Sequence, residues 1–363
     1  MVHTAELTYF PDGELIKAFQ KLQGTVWYKQ DNVWYNGTLK DHGLKFRLKV
    51  IERPDFRSPR LMCRVNFSKL LHPDDKISLM TPWDTEAAEK RFDELTRGLL
   101  PFLPQFRFWK VNRIDYCVNV HTPYVEEYIH LLKKGNRRYM QDWYDRNGNY
   151  VQKPGSLYYV ATAKRKRNRG VTVNFYNKMD EMMKSFESSG EWPDDEALEE
   201  LPKDILRLEV QCHKAKVDHL QKKYGMQDRS VPYFLNPQIA YEMISTYLKI
   251  IAGDGDYHRK SVALEMIDQT GCRQATKEKL KKIIRDVAKQ HSSIWKIRDD
   301  YVGNGIMQKD EYNDLIRKLH NRNINPVTIT NNLHLDGKTL KQGLKSVFSI
   351  FEDAFEEETI QEG

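Results

Sequence analysis

The sequence predicts an α+β protein: a mostly antiparallel sheet with helices packed on one face, followed by a helix-rich C-terminal region. Two observations support this prediction. Up to about residue 229, apolar and polar side chains alternate over segments separated by short turns, as in half-buried strands. Beyond residue 230, apolar residues recur at helical spacing, for example over residues 237–253. In a chain of 363 residues we therefore expect two domains, 1–229 and 230–363.

The elements of the first region follow in order from this spacing. Alternating aromatic and aliphatic residues between Asn-Gly and His-Gly turns predict antiparallel strands in 24–52, and further strands follow at 61–71 and 108–122. An Asp N-cap before a helical repeat predicts a helix over 84–103. A second helix is predicted over 123–135, because this segment begins with a proline and ends with a glycine.

Three further strands and a helix complete this region. Residues 155–162 and 170–177 predict a hairpin, and residues 204–215 predict the last strand. A helix is expected over 177–188, with Asn177 as its N-cap. The turn of the hairpin is strongly basic, and we expect it to contact backbone phosphates of a nucleic acid. Its cations are Lys164, Arg165, Lys166, Arg167 and Arg169.

The composition of the chain indicates its expected location, its expected partners and the expected state of its cysteines. Charged residues make up 30% of the chain, and no apolar run approaches the roughly 18 residues of a membrane-spanning helix, so we expect no membrane association. The N-terminus lacks a signal-peptide pattern, which predicts a cytoplasmic protein. The net charge of +7 is compatible with an anionic partner. The four cysteines show no metal-ligand spacing and are expected to be buried thiols.

Three of the predicted strands carry polar side chains on one face, because alternate residues of a strand share a face. The strand at 111–120 places Arg113, Asp115, Cys117 and Asn119 opposite its apolar residues. The strand at 205–213 does the same with Arg207, Glu209, Gln211 and His213. The strand at 171–177 contributes Asn174 and Tyr176.

Paired in one sheet, these strands bring two carboxylates and a tyrosine together. Carboxylates are preferred ligands of Mg²⁺ and Mn²⁺, which can stabilise the charge of a phosphoryl-transfer transition state. Tyr176 precedes a helix N-terminus, where phosphate is favoured, and Lys178 adds a positive charge. Each motif alone is also typical of a surface salt bridge or a packed tyrosine. Their coincidence favours a tyrosine nucleophile, activated by cations, that faces a phosphodiester.

At these residues the chain resembles the replication-initiator endonucleases of filamentous phages and, more distantly, rolling-circle plasmid initiators and relaxases. The resemblance spans about residues 59–225. It rests on four segments in order: PRLMCRVNFSKLL from residue 59, VNRIDYCVNV at 111–120, VNFYNKMDE at 173–181 and ILRLEVQCHKAKVDHLQKKYG at 205–225. A weaker similarity lies at 321–329. The resemblance implies a Rep/relaxase-like nuclease domain.

The resemblance also implies roles for single residues. Tyr176 would attack the scissile phosphate and remain as a 5′-phosphotyrosine, leaving a free 3′-OH. Asp115 and Glu209 match the metal-site carboxylates, so the implied cofactor is Mg²⁺ or Mn²⁺. Lys178 and Glu181 match the positions that support the phosphate and the metal. Two arginines, Arg113 and Arg207, would orient the carboxylates or contact DNA.

One departure concerns histidine. Many related nickases hold their metal with a His-hydrophobic-His motif, which none of the 11 histidines here forms. His213 shares the face of Glu209 and is either a ligand or a hydrogen-bonded neighbour. The sequence therefore defines the metal ligands less well than it defines the nucleophile, Tyr176.

The function expected from this pattern is a metal-dependent DNA nicking and joining enzyme that initiates rolling-circle replication. Its expected partners are single-stranded DNA, duplex origin DNA, a host helicase and a host polymerase, and the C-terminal helices would bind the origin or form a homodimer. Trp143, Tyr144 and Tyr150 are candidates for stacking on bases. Three alternatives stay open: a conjugative relaxase, a non-catalytic DNA-binding regulator on the same fold, and an RNA-binding protein.

Overall fold

The structure of the chain is a computed structural model. It describes residues 1–22, 33–39, 42–53, 56–75, 77–135, 143–144, 150–151, 156–161, 170–190, 192–201, 203–289, 292–329 and 339–340. The predicted basic turn, Lys164 to Arg169, lies outside the described residues. The same is true of the side chains of Trp143, Tyr144 and Tyr150, although their backbones form two short strands.

Eight strands form one sheet in which every neighbouring pair is antiparallel. They are β1 (Val2–Tyr9), β2 (Val33–Leu39), β3 (Leu44–Arg53), β4 (Phe56–Asn66), β5 (Lys110–His121), β8 (Ser156–Ala161), β9 (Val171–Asn177) and β10 (Ile205–Cys212). Their order across the sheet is β2-β3-β4-β1-β5-β10-β9-β8. Two small ribbons pair β6 (Trp143–Tyr144) with β7 (Tyr150–Val151) and β11 (Tyr257–His258) with β12 (Thr339–Leu340).

The helices are concentrated in the second half of the chain. They are α1 (Gly13–Lys21), α2 (Phe67–Leu71), α3 (Thr85–Leu99), α4 (Val125–Lys133), α5 (Lys178–Ser189), α6 (Asp195–Glu199), α7 (Lys214–Lys223), α8 (Val231–Phe234), α9 (Pro237–Ala252), α10 (Lys260–Asp268), α11 (Gln274–Val287), α12 (Ile294–Gly303) and α13 (Lys309–His320). In the part of the chain that the structure describes, no helix is both long and apolar enough to cross a bilayer.

The predicted α+β class and the antiparallel sheet are confirmed, with some elements displaced. The strand predicted over 61–71 ends at Asn66, because the Asn66 side chain accepts a hydrogen bond from the Lys69 amide (3.1 Å) and begins α2. The predicted hairpin is the β8–β9 pair. Strand β1, which the alternation in 2–9 could have revealed, was not predicted, and it lies in the middle of the sheet.

Helices pack on both faces of the sheet, whereas the sequence predicted one. The apolar face of β5 packs against α7, α8 and α9, and the Tyr116 hydroxyl donates to the Phe234 carbonyl at 2.9 Å. Helix α5 lies over the polar face, where its residues line a cavity together with Thr4 and Arg64. Lys178, Met182 and Phe186 form a buried stripe at helical spacing on α5, and this stripe accounts for its covering position.

The helices after residue 230 share one core with the sheet. The Val231 amide donates to the Trp109 carbonyl at 3.2 Å. Buried apolar side chains form a continuous cluster from Val118 in β5 through Met243 in α9 to Leu280 in α11. The described residues of the two predicted regions, 1–229 and 230–363, are therefore packed together, and the division into two domains stays a prediction.

Gly135 allows two backbones to meet where the chain leaves α4. A Cβ atom at this position would lie 2.1 Å from the backbone carbonyl oxygen of Ile251 in α9. That distance is far below van der Waals contact, and neither backbone can yield without shifting its helix. Only glycine fits between α4 and α9.

Gly135→Ala is therefore expected to lower the free energy of unfolding by about 3 kcal/mol, because it overpacks the contact between α4 and α9. Gly98→Ala is the matched control. Gly98 lies in α3, where an added Cβ atom would have no heavy atom within 4 Å, and alanine should stabilise that helix by up to about 1 kcal/mol. Urea unfolding of both variants measures the difference. A Gly135→Ala protein as stable as the wild type would contradict this packing.

Candidate functional site

The strand register brings the predicted polar residues side by side on one face of the sheet. Arg207 of β10 lies opposite Asn119 of β5 on one side and opposite Tyr176 of β9 on the other. Glu209 pairs in the same way with Cys117 of β5. Directly opposite side chains of antiparallel strands are in contact range, so three strands contribute to one cluster.

Asp115 is buried within this cluster and is held by Arg113. The Arg113 guanidinium donates two parallel hydrogen bonds to the Asp115 carboxylate, at 2.8 and 2.7 Å, and a third to Glu6 at 3.3 Å. Its Nη2 lies 4.0 Å from Glu209 Oε1. This bidentate geometry fixes the carboxylate and leaves Arg113 engaged with carboxylates. Of the two predicted roles for Arg113, the geometry favours orienting the carboxylates.

The carboxyl groups of Asp115 and Glu209 lie on either side of Arg113 Nη2, which is 2.7 Å from Asp115 Oδ2 and 4.0 Å from Glu209 Oε1. Burial, followed by the negative charge of Glu209, raises the pKa of Asp115 to about 8, and the pairing with Arg113 only partly offsets this rise. The Gln211 amide donates to Glu209 Oε1 at 2.8 Å. Without a cation, Asp115 therefore keeps its proton at neutral pH.

This raised pKa predicts how stability depends on pH. The folded protein keeps a proton on Asp115 that the unfolded chain, with a pKa near 3.8, has released. The stabilisation of the folded state by this proton is therefore present in full below pH 4 and is lost as the pH rises to about 8. Asp115→Asn lacks this loss, so it should gain stability relative to the wild type from pH 5 to pH 8. Urea unfolding in EDTA at pH 5 and at pH 8 measures the gain. If the free energies of unfolding of the variant and the wild type differ by the same amount at pH 5 and at pH 8, the prediction is contradicted.

Arg207 is fully buried beside Tyr176. Its Nε donates to the Asn119 side-chain oxygen at 2.8 Å, and its Nη2 donates to the Ile77 carbonyl at 2.6 Å. Its Nη1 has no hydrogen-bond partner among the described residues. A buried guanidinium with an unused donor is well suited to an anion. Two hydrogen bonds therefore anchor the Arg207 side chain, while its Nη1 keeps donor capacity that no described residue uses.

Tyr176 is half-buried at the end of β9. Burial and the charge of Glu209 raise its pKa well above 10, and the opposing effect of Arg207 is smaller. The sequence-based expectation that nearby cations favour the phenolate is therefore wrong for the protein without a metal. The physical reason is that α5 and the sheet remove water from the ring while Glu209 supplies a like charge.

Lys178 and Glu181 extend the cluster from β9 into α5. Asn177 is the N-cap, as predicted, and its side chain accepts from the Met179 amide at 3.0 Å. Lys178 is 4% exposed, and its Nζ donates to Glu181 Oε2 at 2.5 Å. Burial and the charge of Arg207 lower the pKa of Lys178. An ammonium in this setting gives up its proton more readily than an exposed lysine.

His3 joins the site although no sequence motif assigned it a role. The pairing of β1 with β5 shifts register between Val2 and Thr4, and such a bulge can turn a side chain to the other face. Potential ligand atoms of His3, Cys117 and Glu209 all lie within 4.8 Å of one another. Burial lowers the pKa of His3 to about 3, so its imidazole is neutral, as a metal ligand must be.

The residues of this group fit a divalent transition metal. Glu209 offers a carboxylate oxygen, His3 a neutral imidazole nitrogen, and Asp115 lies beside Glu209. Burial raises the pKa of the Cys117 thiol, which keeps it a weak ligand. A mixed oxygen and nitrogen donor set suits Mn²⁺ better than Mg²⁺, which prefers oxygen alone. Two predicted ligands are not members of the group: Glu181 is bound to Lys178, and Asp115 is held by Arg113.

The histidine considered from the sequence, His213, lies next to a different residue. Its Nε2 is 2.9 Å from the Thr172 hydroxyl, and it is not a member of the group formed by His3, Cys117 and Glu209. Of the two roles left open, the geometry favours the hydrogen-bonded neighbour.

Comparison of the chain with protein-family models, with curated proteins and with solved structures found no match.

Proposed function

We propose that this protein is a metal-dependent nicking and joining endonuclease that initiates rolling-circle replication on single-stranded DNA, with a Rep/relaxase-like fold. One observation carries the proposal. A tyrosine, an anchored arginine with an unused donor, a buried lysine and a carboxylate pair converge on one face of the sheet. A packing role for the tyrosine does not require this set around it.

In the proposed reaction, the Tyr176 hydroxyl oxygen attacks the scissile phosphorus. The bond between this oxygen and phosphorus forms, the bond from phosphorus to the 3′ oxygen breaks, and the phenolic proton leaves to solvent. The 3′ oxygen takes up a proton, for which Lys178 is suited by its lowered pKa. The products are a 5′-phosphotyrosine and a 3′-OH that a host polymerase extends. Attack by the 3′-OH on the phosphotyrosine reverses the step and joins the strand.

The surrounding residues supply positioning and charge. Arg207 would direct its unpaired Nη1 at the anionic phosphate, and Arg113 holds Asp115 in place. Glu209, His3 and Asp115 would hold Mn²⁺ or Mg²⁺. Such a cation, when bound, offsets the negative charge that raises the pKa of Tyr176 and polarises the phosphate.

The remaining parts of the proposal concern the partners. The basic residues Lys164 to Arg169 would contact the DNA backbone, and the helices after residue 230 would bind duplex origin DNA or form a homodimer. A helicase of the host would unwind the duplex after nicking. A conjugative relaxase would use the same residues on a transfer origin.

A non-catalytic DNA-binding regulator is a second candidate. The observation that favours it is the pair of hydrogen bonds from Arg113 to Asp115, which satisfies the buried carboxyl group without any metal. In that case the polar cluster would stabilise the sheet, and Tyr176 would stay protonated as burial dictates.

A covalent-adduct assay separates these functions. A labelled pool of single-stranded DNA that includes the cognate origin is incubated with protein and Mn²⁺ or Mg²⁺ and resolved on a denaturing gel. The nickase predicts a protein–DNA band that EDTA abolishes and that Mn²⁺ restores more effectively than Mg²⁺. DNA binding in a native gel without any such band would support the regulator, and preferential binding of an RNA pool would support the RNA-binding alternative.

A further inference from the structure

A cavity of about 390 Å³ adjoins the candidate site. It lies between α5 on one side and α2, β1, β3 and β4 on the other. Its lining residues are His3, Thr4, Gly43, Leu44, Lys45, Arg64, Asn66, Ser68, Lys69, Lys178, Glu181, Met182, Ser185 and Ser189. His3 and Lys178 belong to both the cavity and the candidate site, and Lys178 follows Tyr176 by two residues in the chain. Its size falls in the range of pockets that bind a single small ligand, about 300–1,000 Å³.

The cavity is strongly positive. Lys45, Arg64, Lys69 and Lys178 line it, with Glu181 as the single carboxylate. Glu181 is already bound to Lys178. Lys45 and Arg64 are cross-strand partners on the polar face, and within the described residues neither makes an ion pair. Two like charges directly opposite each other destabilise a sheet, and a bound anion would offset this repulsion. Glu6 lies opposite Arg64 on its other side but is bound to Arg113.

Ser68 provides an independent indication of a ligand. Its side chain is 2% exposed, and its hydroxyl has no hydrogen-bond partner in the part of the chain that the structure describes. Buried hydroxyls are nearly always paired, and an unpaired one costs free energy. Since Ser68 lines the cavity, a ligand with acceptor oxygens would satisfy it.

The cations continue outside the cavity along the same face of β3 and β4. The register places Arg47 and Arg60 on the side of the sheet that carries Lys45 and Arg64, and both are exposed. The Arg60 guanidinium lies 5.8 Å from the ring centre of Phe10, which is 57% exposed. Alternating cations and an accessible ring are typical of a surface that follows a single strand of nucleic acid.

We propose that this cavity is a nucleotide subsite that binds the phosphodiester next to the scissile one, and that the strand leaves it across β3 and β4. Lys45 and Arg64 would contact the phosphate oxygens, and the Ser68 hydroxyl would donate to one of them. The identity of the ligand as DNA rests on the proposed function, whereas the preference for a phosphodiester rests on the cavity itself.

Fluorescence anisotropy of a labelled single-stranded oligonucleotide tests this subsite, in EDTA and in a Tyr176→Phe background so that no strand is cut. The double variant Lys45→Ala/Arg64→Ala should raise Kd about tenfold or more. It should also flatten the plot of log K against log salt by about 0.7 to 1.4, because one or two phosphate contacts with a single strand are lost. Ser68→Ala should raise Kd about threefold with the salt slope unchanged, because no charge is removed.

The control is Lys90→Ala/Arg97→Ala. It removes the same two charge types from exposed positions on α3 and should leave Kd within about twofold. An equal loss of affinity in this control would overturn the subsite, because the loss of net positive charge alone would then explain the higher Kd of the Lys45→Ala/Arg64→Ala variant. Tighter binding of an RNA oligonucleotide with the same sensitivity to Lys45 and Arg64 would overturn DNA as the ligand.

The two proposals fail in different ways. If the wild type forms no covalent adduct but the cavity variants lose affinity as expected, the nickase fails and the subsite stands. If the wild type forms the adduct and the cavity variants bind DNA as well as the background protein does, the subsite fails and the nickase stands.

Discussion

Tyr176→Phe is expected to abolish the covalent adduct with single-stranded DNA, lowering its rate of formation by a factor on the order of 10⁴ or more. The substitution removes the oxygen that would form the bond to phosphorus and leaves the ring in place. DNA affinity in EDTA should therefore stay close to that of the wild type. Quantification of the adduct on a denaturing gel, together with thermal unfolding, measures both effects.

Tyr224→Phe is the matched control for this loss. It removes the same atom from a tyrosine that is 36% exposed and whose hydroxyl donates to Glu242 in α9. Its adduct should form at the wild-type rate. Adduct formation by Tyr176→Phe would keep the class of enzyme and exclude Tyr176 as the nucleophile. Loss of the adduct in both variants would point to a general effect on folding.

Glu209→Gln is expected to lower the rate of nicking by a factor of about 10² to 10⁴. Glu209 belongs both to the carboxyl pair with Asp115 and to the group with His3 and Cys117, so its loss removes the central anionic ligand. The dependence of the rate on Mn²⁺ should shift to higher concentration, because a neutral amide binds a cation more weakly than a carboxylate does. Single-turnover nicking over a range of Mn²⁺ concentrations measures both changes.

Glu6→Gln controls for charge on the same face. Glu6 accepts a hydrogen bond from Arg113 at 3.3 Å, whereas Glu209 lies 4.0 Å from the same guanidinium. Glu6 lies outside the group of possible ligands. Its nicking rate should stay within a few-fold of the wild type, with an unchanged Mn²⁺ dependence. A Glu209→Gln protein that nicks as fast as Glu6→Gln would remove Glu209 from the proposed metal site.

The polar face of the sheet could be predicted because it depends on a local regularity. Alternation with period 2 identified Asp115, Glu209 and Tyr176 as neighbours once their strands were assumed to pair. The structure pairs those strands, β5, β10 and β9, side by side. The N-cap Asn177 could be predicted for the same reason, since capping depends on residues within one turn.

Two features of the site depend on distant contacts and could not be derived this way. His3 joins the site through a shift of register between β1 and β5, which no short stretch of sequence encodes. The raised pKa of Tyr176 depends on the covering helix α5 and on Glu209. Cys117 was expected to be a plain buried thiol; it is buried, and it also lies beside Glu209.

Mass spectrometry of the covalent adduct tests the central claim most directly. After nuclease and trypsin digestion, cleavage at Arg169 and Lys178 releases the peptide 170–178, GVTVNFYNK, which contains a single tyrosine, Tyr176. The proposal predicts that this peptide carries the mass of a nucleotide linked through its 5′ phosphate, in samples with Mn²⁺ and not in samples with EDTA. A nucleotide on a different peptide, or no modified peptide from a pool that contains the cognate origin, would contradict it.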